Sequence, residues 1–213
     1  MAKPVIVLGG GGHAKVLIDA LQLSGINILG IIDPQLKAGD LGFASLPILG
    51  DDQAVSRYSP DEIELVNGIG SLPGNDIRAK LFSDYSDKGY SFATVVHPSA
   101  IVSKSCLMQD GSQIMARCVL QPGAIIGKNT IINTGAIVEH DCEIGANNHL
   151  APGVVLSGGV HTGENVHIGT GAVIIQNVNI GENSVVGAGA AVTKDIGWNQ
   201  IIYPARPKVC DRK

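Results

Sequence analysis

Three consecutive residues, Glu139-His140-Asp141, set an imidazole between two carboxylates. A neutral imidazole near pH 7 can take a proton from an attacking nucleophile, a service worth typically ~10²–10⁴ in rate. Asp141 could hold one ring nitrogen and raise the basicity of the other. Glu139 is the rival orienter, although strand alternation would turn it away from His140. A second group lies near the N-terminus, where Gly9-Gly10-Gly11-Gly12-His13 follows an apolar run. Gly9-x-Gly11-x-x-Ala14, with Asp33 nineteen residues after Ala14, has the spacing of a dinucleotide fingerprint. Backbone N–H groups at a helix N-terminus cradle phosphate, and an acid after the next strand can accept from ribose or base. A nucleotide-sugar and a dinucleotide both meet that description. The half-sized domain argues against NAD, because a full dinucleotide fold uses two such halves. His149 and His167 lie 18 residues apart and would stack in one outer column of a repeat with that period. They could share a metal, but no third ligand is evident, and no metal is expected. His161 has no assignable role.

These groups fall in segments of different periodicity. Residues 1–95 alternate short apolar runs with helical patterns: strands over 4–8, 27–32 and 64–69, and helices over 13–23 and 76–85. The first helix should bury Val16, Leu17, Ala20 and Leu21 on one face. This order predicts a small parallel sheet covered by helices. From residue 96 the period becomes six. Val96, Val102, Met108, Ile114, Leu120 and each sixth residue to Val192 are aliphatic or Met at sixteen of seventeen positions, Thr162 being the exception. Two places earlier runs a ladder of mostly small residues, and Gly follows the large one at 127, 145, 163, 169, 181 and 187. Hexapeptide repetition is a β-helix signature. Three hexads make a triangular coil of 18 residues, large aliphatics fill the prism, and the glycines are expected to support the turns. The division is therefore 1–95, 96–197 and a tail at 198–213.

Composition agrees with a narrow prism. No aromatic lies between Phe92 and Trp198, and 16% of residues are charged. The net charge of −4 supplies no basic footprint for nucleic acid. The longest charge-free run of the second half, 144–163, contains Asn, His, Pro and several Gly, so it is no membrane span. The apolar run at 5–8 is too short for a signal peptide, and a cytoplasmic protein is expected. Cys106, Cys118 and Cys142 all occupy the small-residue ladder and read as buried fillers, while Cys210 lies in the tail.

The ladder resembles the left-handed β-helix of bacterial acyltransferases. The combination of residues 7–13 (Val-Leu-Gly-Gly-Gly-Gly-His), Gly30-Ile31-Ile32-Asp33, His97-Pro98 and Val138-Glu139-His140-Asp141-Cys142 is similar to the sugar O-/N-acyltransferases of sialic-acid and bacterial glycan biosynthesis. That resemblance, over the whole chain, implies a Rossmann-like sugar-nucleotide domain followed by the β-helix. It also implies a homotrimer with sites at subunit interfaces and acetyl-CoA as cosubstrate. His140 would be the proton acceptor and Asp141 the residue that raises its basicity. His149 would contact acetyl-CoA, and Thr170 and Ala188 would line the CoA arm. Lys194, Arg206 and Lys208 could meet its phosphates. Gly11, Gly12, His13, Asp33 and Gly70 would bind the sugar nucleotide. Pro34 follows Asp33 where some members carry a second polar residue. The expected reaction is N-acetylation of a nucleotide-linked amino sugar at its 4-amino group. The motifs do not separate amine from hydroxyl acceptors, so O-acetylation is the alternative, and a non-catalytic trimeric scaffold is an alternative of another class.

Overall fold

The computed structural model describes residues 3–205. β1 (Val5–Leu8), β2 (Ile28–Ile32), β3 (Ile48–Gly50) and β4 (Glu64–Asn67) form a parallel sheet in the order β3-β2-β1-β4. The central strand β1 is buried at all four positions, as a strand covered on both faces must be. On one face Val5, Val7 and Val66 pack with helix α1 (Gly12–Leu23); on the other Ile6, Leu8 and Leu65 meet Val55, Tyr85 and Phe92. Helix α2 (Ile77–Asp87) closes that second side. Two details differ from the sequence expectation. The buried stripe of α1 is Ala14, Leu17, Ile18, Ala20 and Leu21, whereas Val16 is 43% exposed. The edge strand β3 went unforeseen because its three residues are too few to show a period.

Beyond Val95 the chain winds into a left-handed parallel β-helix whose strands are two residues long. They stack in three sheets, named the Val95, Ile101 and Leu107 faces after the first residue of each. Partners lie 18 residues apart, as in Ile125↔Glu143 and His149↔His167. The inward ladder is dry: Ile114, Leu120, Ile126, Ile132, Val138, Leu150, Leu156 and Ile168 are at most 1% exposed. Burying each such side chain contributes roughly 1.5–3 kcal/mol before chain entropy opposes it. The one polar rung, Thr162, accepts from Asn148 Nδ2 at 2.6 Å and from the Gly145 amide at 3.2 Å. Cys118 and Cys142 are buried free thiols, and burial raises the pKa of both, that of Cys118 to about 11.

The glycines that follow the large ladder do a different job from the one expected. Positive φ falls instead at every sixth position from Gly111 to Gly189, filled by Gly, Asn, Asp or once Arg117. Asn tolerates the left-handed region, so glycine is not required there. Gly127 and Gly145 are needed for close approach: a Cβ on Gly127 would stand 2.5 Å from the Gly145 carbonyl carbon, and one on Gly145 would strike the Gly163 carbonyl oxygen. At the far end the spacing shortens to sixteen residues, and Ile201–Ile202 pairs with Val185–Val186, so the coil runs into the expected tail.

A single apolar core joins Leu17, Ile18 and Leu21 of α1 to Val95, Ile114 and the prism interior. Beside it lies a buried polar seam. Arg78, 4% exposed, donates to the carbonyls of Asn67 (2.9 Å), Ile69 (2.7 Å) and Asn129 (3.2 and 3.1 Å). No carboxylate joins it among the described residues, and burial lowers its pKa to about 9. None of the described helices is long and apolar enough to cross a membrane.

Candidate active site

The glycine turn after β1 delivers the chain to the N-terminus of α1. Gly11 is the N-cap and offers no side-chain cap, while Asp33 Oδ2 takes the Gly10 amide at 2.7 Å and Oδ1 takes that of Gln35 at 2.8 Å. Asp33 thus ties the end of β2 to the turn. Gly11 and Gly12 are exposed and nothing lies within 4 Å of where their Cβ atoms would be. Their N–H groups remain open to an anion, and α1 has no acid in its first turn to compete.

Below this turn a cavity of about 480 Å³ lies between the sheet domain and the β-helix. Gly12, His13, Val16, Gly70 and Ser71 line it from one side, Ile131, Asn133 and His149 from the other. Exposure of Val16 is explained: it walls the cavity. Desolvation, with the Arg78 charge nearby, lowers the His13 pKa to about 4. His149 is likewise lowered to about 4, by burial first and then by His167 and His13. His149 Nδ1 lies 3.1 Å from the Ser71 carbonyl, so it donates, and Nε2 accepts from Asn133 Nδ2 at 3.1 Å. Its column partner His167 packs edge-on, with ring centroids 4.9 Å apart. This column is outside the prism but beneath the Ser71 loop, and His149 is buried where an open outer surface was expected. Among the described residues no three metal-ligating side chains gather.

His140 and Asp141 occupy another place, the turn between the strands Ile137–Val138 and Glu143–Ile144. There the Ile101 face passes into the Leu107 face, and the side chains are 63% and 75% exposed. Asp141, at φ 58, brings Oδ2 within 2.9 Å of His140 Nδ1. A carboxylate accepts, so Nδ1 carries the hydrogen and Nε2 presents its lone pair. Glu139 makes no hydrogen bond to the ring. One coil below, a Cβ on Gly123 would lie 2.5 Å from Asp141 Oδ1; one coil above, a Cβ on Gly158 would lie 2.5 Å from His140 Nε2. The pair is thus bracketed by residues without side chains, a signal readable eighteen places either way.

Thr170 and Ala188 stack at a third position, the exposed turns from the Val95 face to the Ile101 face, where the Gly189 amide donates to the Thr170 carbonyl at 2.8 Å. Lys194 is exposed on a different edge, after the strand Ala191–Val192 of the Ile101 face. Arg206, Lys208 and Cys210 lie outside the described residues. The structure therefore gathers Gly12, His13, Gly70 and His149, joins Gly11 and Asp33 to them through the glycine turn, and leaves His140-Asp141 and Thr170-Ala188 on separate edges. Asn133, Ser71, Gln113 and Arg78 went unnoticed in the sequence. Gln113 carried no distinguishing signal either, because polar His149 and His167 share its column with Val95, Ile131 and Val185.

Residues 4–85 match the PglD N-terminal domain, and 105–140, 123–158 and 159–194 match the bacterial transferase hexapeptide (six repeats). A curated relative, the UDP-N-acetylbacillosamine N-acetyltransferase of Bacillus subtilis (strain 168), is 38% identical over 118 residues, 54% of this chain. The matched stretch spans about half (52%) of that relative's length. Two solved structures match throughout. A histidine-to-alanine variant of GDP-perosamine N-acetyl transferase from Caulobacter crescentus, in complex with CoA and GDP-perosamine, is 37% identical with a TM-score of 0.85, covering 99% of both chains. The acetyltransferase domain of PglB from Neisseria gonorrhoeae FA1090, in complex with acetyl coenzyme A, is 31% identical with a TM-score of 0.86, covering 98% of this chain and 100% of that one.

Proposed function

Because the chain belongs to the hexapeptide-repeat sugar acyltransferases, we propose that it moves an acetyl group from acetyl-CoA to a nucleotide-linked amino sugar. The acceptor in this reading is the 4-amino group of the sugar. The observation that carries it is the match across both halves at once to an enzyme solved with CoA and a nucleotide sugar. The open α1 N-terminus fits a diphosphate, and the cavity beneath it has room for a sugar.

His140 Nε2 takes a proton from the amine as its nitrogen attacks the thioester carbonyl. The new C–N bond forms, the negative oxygen is met by a backbone N–H, and the C–S bond then breaks. The CoA thiolate leaves with the proton that His140 carried. Transfer is direct, since the thiol nearest in sequence, Cys142, is buried and donates to the Ser157 carbonyl at 3.2 Å.

One chain holds His140 and the sugar cradle on different edges, so the working unit in this proposal is a homotrimer with each site shared between neighbours. An outward apolar stripe on the Ile101 face supports that reading: Ile101, Val119, Ile137, Val155, Val173 and Ala191 stack along it, exposed or half-exposed. Such a stripe marks an interaction surface. It adjoins the His140 turn.

The test is release of CoA thiol from acetyl-CoA with UDP-, GDP- and dTDP-linked 4-amino sugars. Acetylamide formation with at least one supports the proposal. An acetyl ester would convert it to O-transfer, and binding without transfer to any acceptor would leave a scaffold. A variant at Gly158 reads the His140 turn without removing the base. Gly158→Ala sets a methyl against the exposed tip of the imidazole, which must tilt away from its hydrogen-bonded position. Turnover is expected to fall about tenfold or more, because misplacing a catalytic group by ~1 Å can cost ~10² in rate. The melting temperature should stay close to wild type, since the ring yields into solvent; unchanged kcat would remove the claim that this ring position matters.

A further inference from the structure

Gln113 opens the second coil of the β-helix, stacked on Val95, is fully buried, and faces the sheet domain across the seam. Its Nε2 lies 2.9 Å from the backbone carbonyl of Asn67, and its Oε1 lies 2.8 Å from His13 Nε2. The Asn67 carbonyl can only accept. It therefore fixes which end of the Gln113 amide points toward it, and the oxygen end must face His13. An amide oxygen can only accept as well, so His13 Nε2 carries the hydrogen. Arg78 supports this arrangement, donating to the same Asn67 carbonyl at 2.9 Å. The Asn67 side chain is itself held by the Arg78 carbonyl at 3.0 Å and by Asn129 Oδ1 at 3.1 Å. The other ring nitrogen, Nδ1, has no hydrogen-bond partner among the described residues, yet it is not among their buried unpartnered atoms. It is therefore open, on a residue that lines the cavity.

Resting on the sugar-nucleotide reading of that cavity, we infer that Gln113 is a positioning residue that locks His13 in the Nε2–H form, so that Nδ1 offers a lone pair and selects a ligand donating a hydrogen bond there. The donor class is a sugar hydroxyl or N–H. Burial keeps the ring uncharged near neutral pH, which removes His13 as a cation for the diphosphate and leaves that role to the α1 amides. A ligand with a carbonyl or ether at this point would set two lone pairs against each other and leave Nδ1 without a donor.

Nitrogen NMR of the intact protein labelled at histidine reads the tautomer directly. His13 is expected in the Nε2–H form near pH 7; the Nδ1–H form or an even mixture overturns the inference. Gln113→Met keeps the volume and removes both hydrogen bonds. It should mix the tautomers and weaken calorimetric binding of UDP- and GDP-linked 4-amino sugars about five- to tenfold, with CoA affinity unchanged. Equal loss of both ligands would indicate general disorder of the seam and sink the positioning role. Should that variant fold poorly, His13→Asn and His13→Gln decide. Asparagine can place an oxygen where Nδ1 stood, glutamine one where Nε2 stood, so Asn must bind the sugar nucleotides more tightly than Gln. The reverse order refutes the assignment. These readouts require no turnover. Binding without transfer would end the catalytic proposal alone, whereas transfer with an Nδ1–H His13 would end this inference alone.

Discussion

Replacing His140 with alanine is expected to lower kcat by roughly 10²–10⁴, the range lost with a general base. Nothing else near that turn can take over. Asp141 accepts from the ring but lacks the reach of the imidazole tip, Glu139 makes no bond to the ring, and the flanking Gly123 and Gly158 have no side chains. Folding should be unaffected, because a side chain 63% exposed carries little packing. The affinity for acetyl-CoA should stay within about threefold, a change of under 1 kcal/mol, since none of its proposed contacts shares the His140 turn: Thr170 and Ala188 lie on another edge and His149 on the Val95 face. The proposed sharing of sites between subunits gives the same variant a second use. Co-expressed with a chain carrying His13→Ala, it should form mixed trimers in which some sites combine an intact base with an intact cradle. Activity above that of either variant alone is the expected result. Near wild-type turnover in the single variant sinks the base assignment, and absence of recovery in the mixture sinks the shared site.

Acidification should weaken the fold well before carboxylates titrate. An unfolded histidine has a pKa near 6.5, while His13 and His149 are held near 4 in the folded chain. Above about pH 6.5 neither state binds these protons and stability is flat. As pH falls from there toward 4, the unfolded chain takes protons that the folded one refuses. Stability must therefore drop, by up to about 1.4 kcal/mol per pH unit for each histidine. Two such groups lose several kcal/mol across the window, against a typical total of about 5–15 kcal/mol. His167 shifts in the same direction, also through burial. Below about 4 the folded state protonates too and this contribution levels off. Urea midpoints at pH 7.5, 6 and 5 would show the slope. An unchanged midpoint across that range would contradict the burial of His13 and His149 at the seam.

The β-helix was legible because its interior imposes one residue class at each of a few positions, and a period of six repeated seventeen times cannot hide. The glycine turn and α1 were legible for the same local reason. What escaped was whatever depends on contacts between distant segments. Arg78 looks like an ordinary helix residue until its carbonyl partners, Asn129 at 51 positions' distance among them, are in place. Gln113 meets Asn67 across 46 positions and His13 across 100. The glycines at 127 and 145 were visible, but their reason was not, since a neighbouring coil exists only after folding. The separation of His140 from the cradle was invisible too, because strand order fixes which edge each turn occupies.

Stacking in columns eighteen residues apart also makes the second half behave as a text with a reading frame. Along the Gly127-Gly145-Gly163 line the backbones of successive coils touch with no side chain between them. Losing one residue between Gly127 and His140 would offset the later positions from the coil below, carry side chains into that contact and part Asp141 from Gly123. Removing one whole coil would return each residue type to its place. Length in this half can therefore change in steps of eighteen, or by loops grown outward at the turns, but not by ones and twos within the strands. The proposed catalytic pair inherits that constraint: its position is defined by count along the chain as much as by the residues themselves.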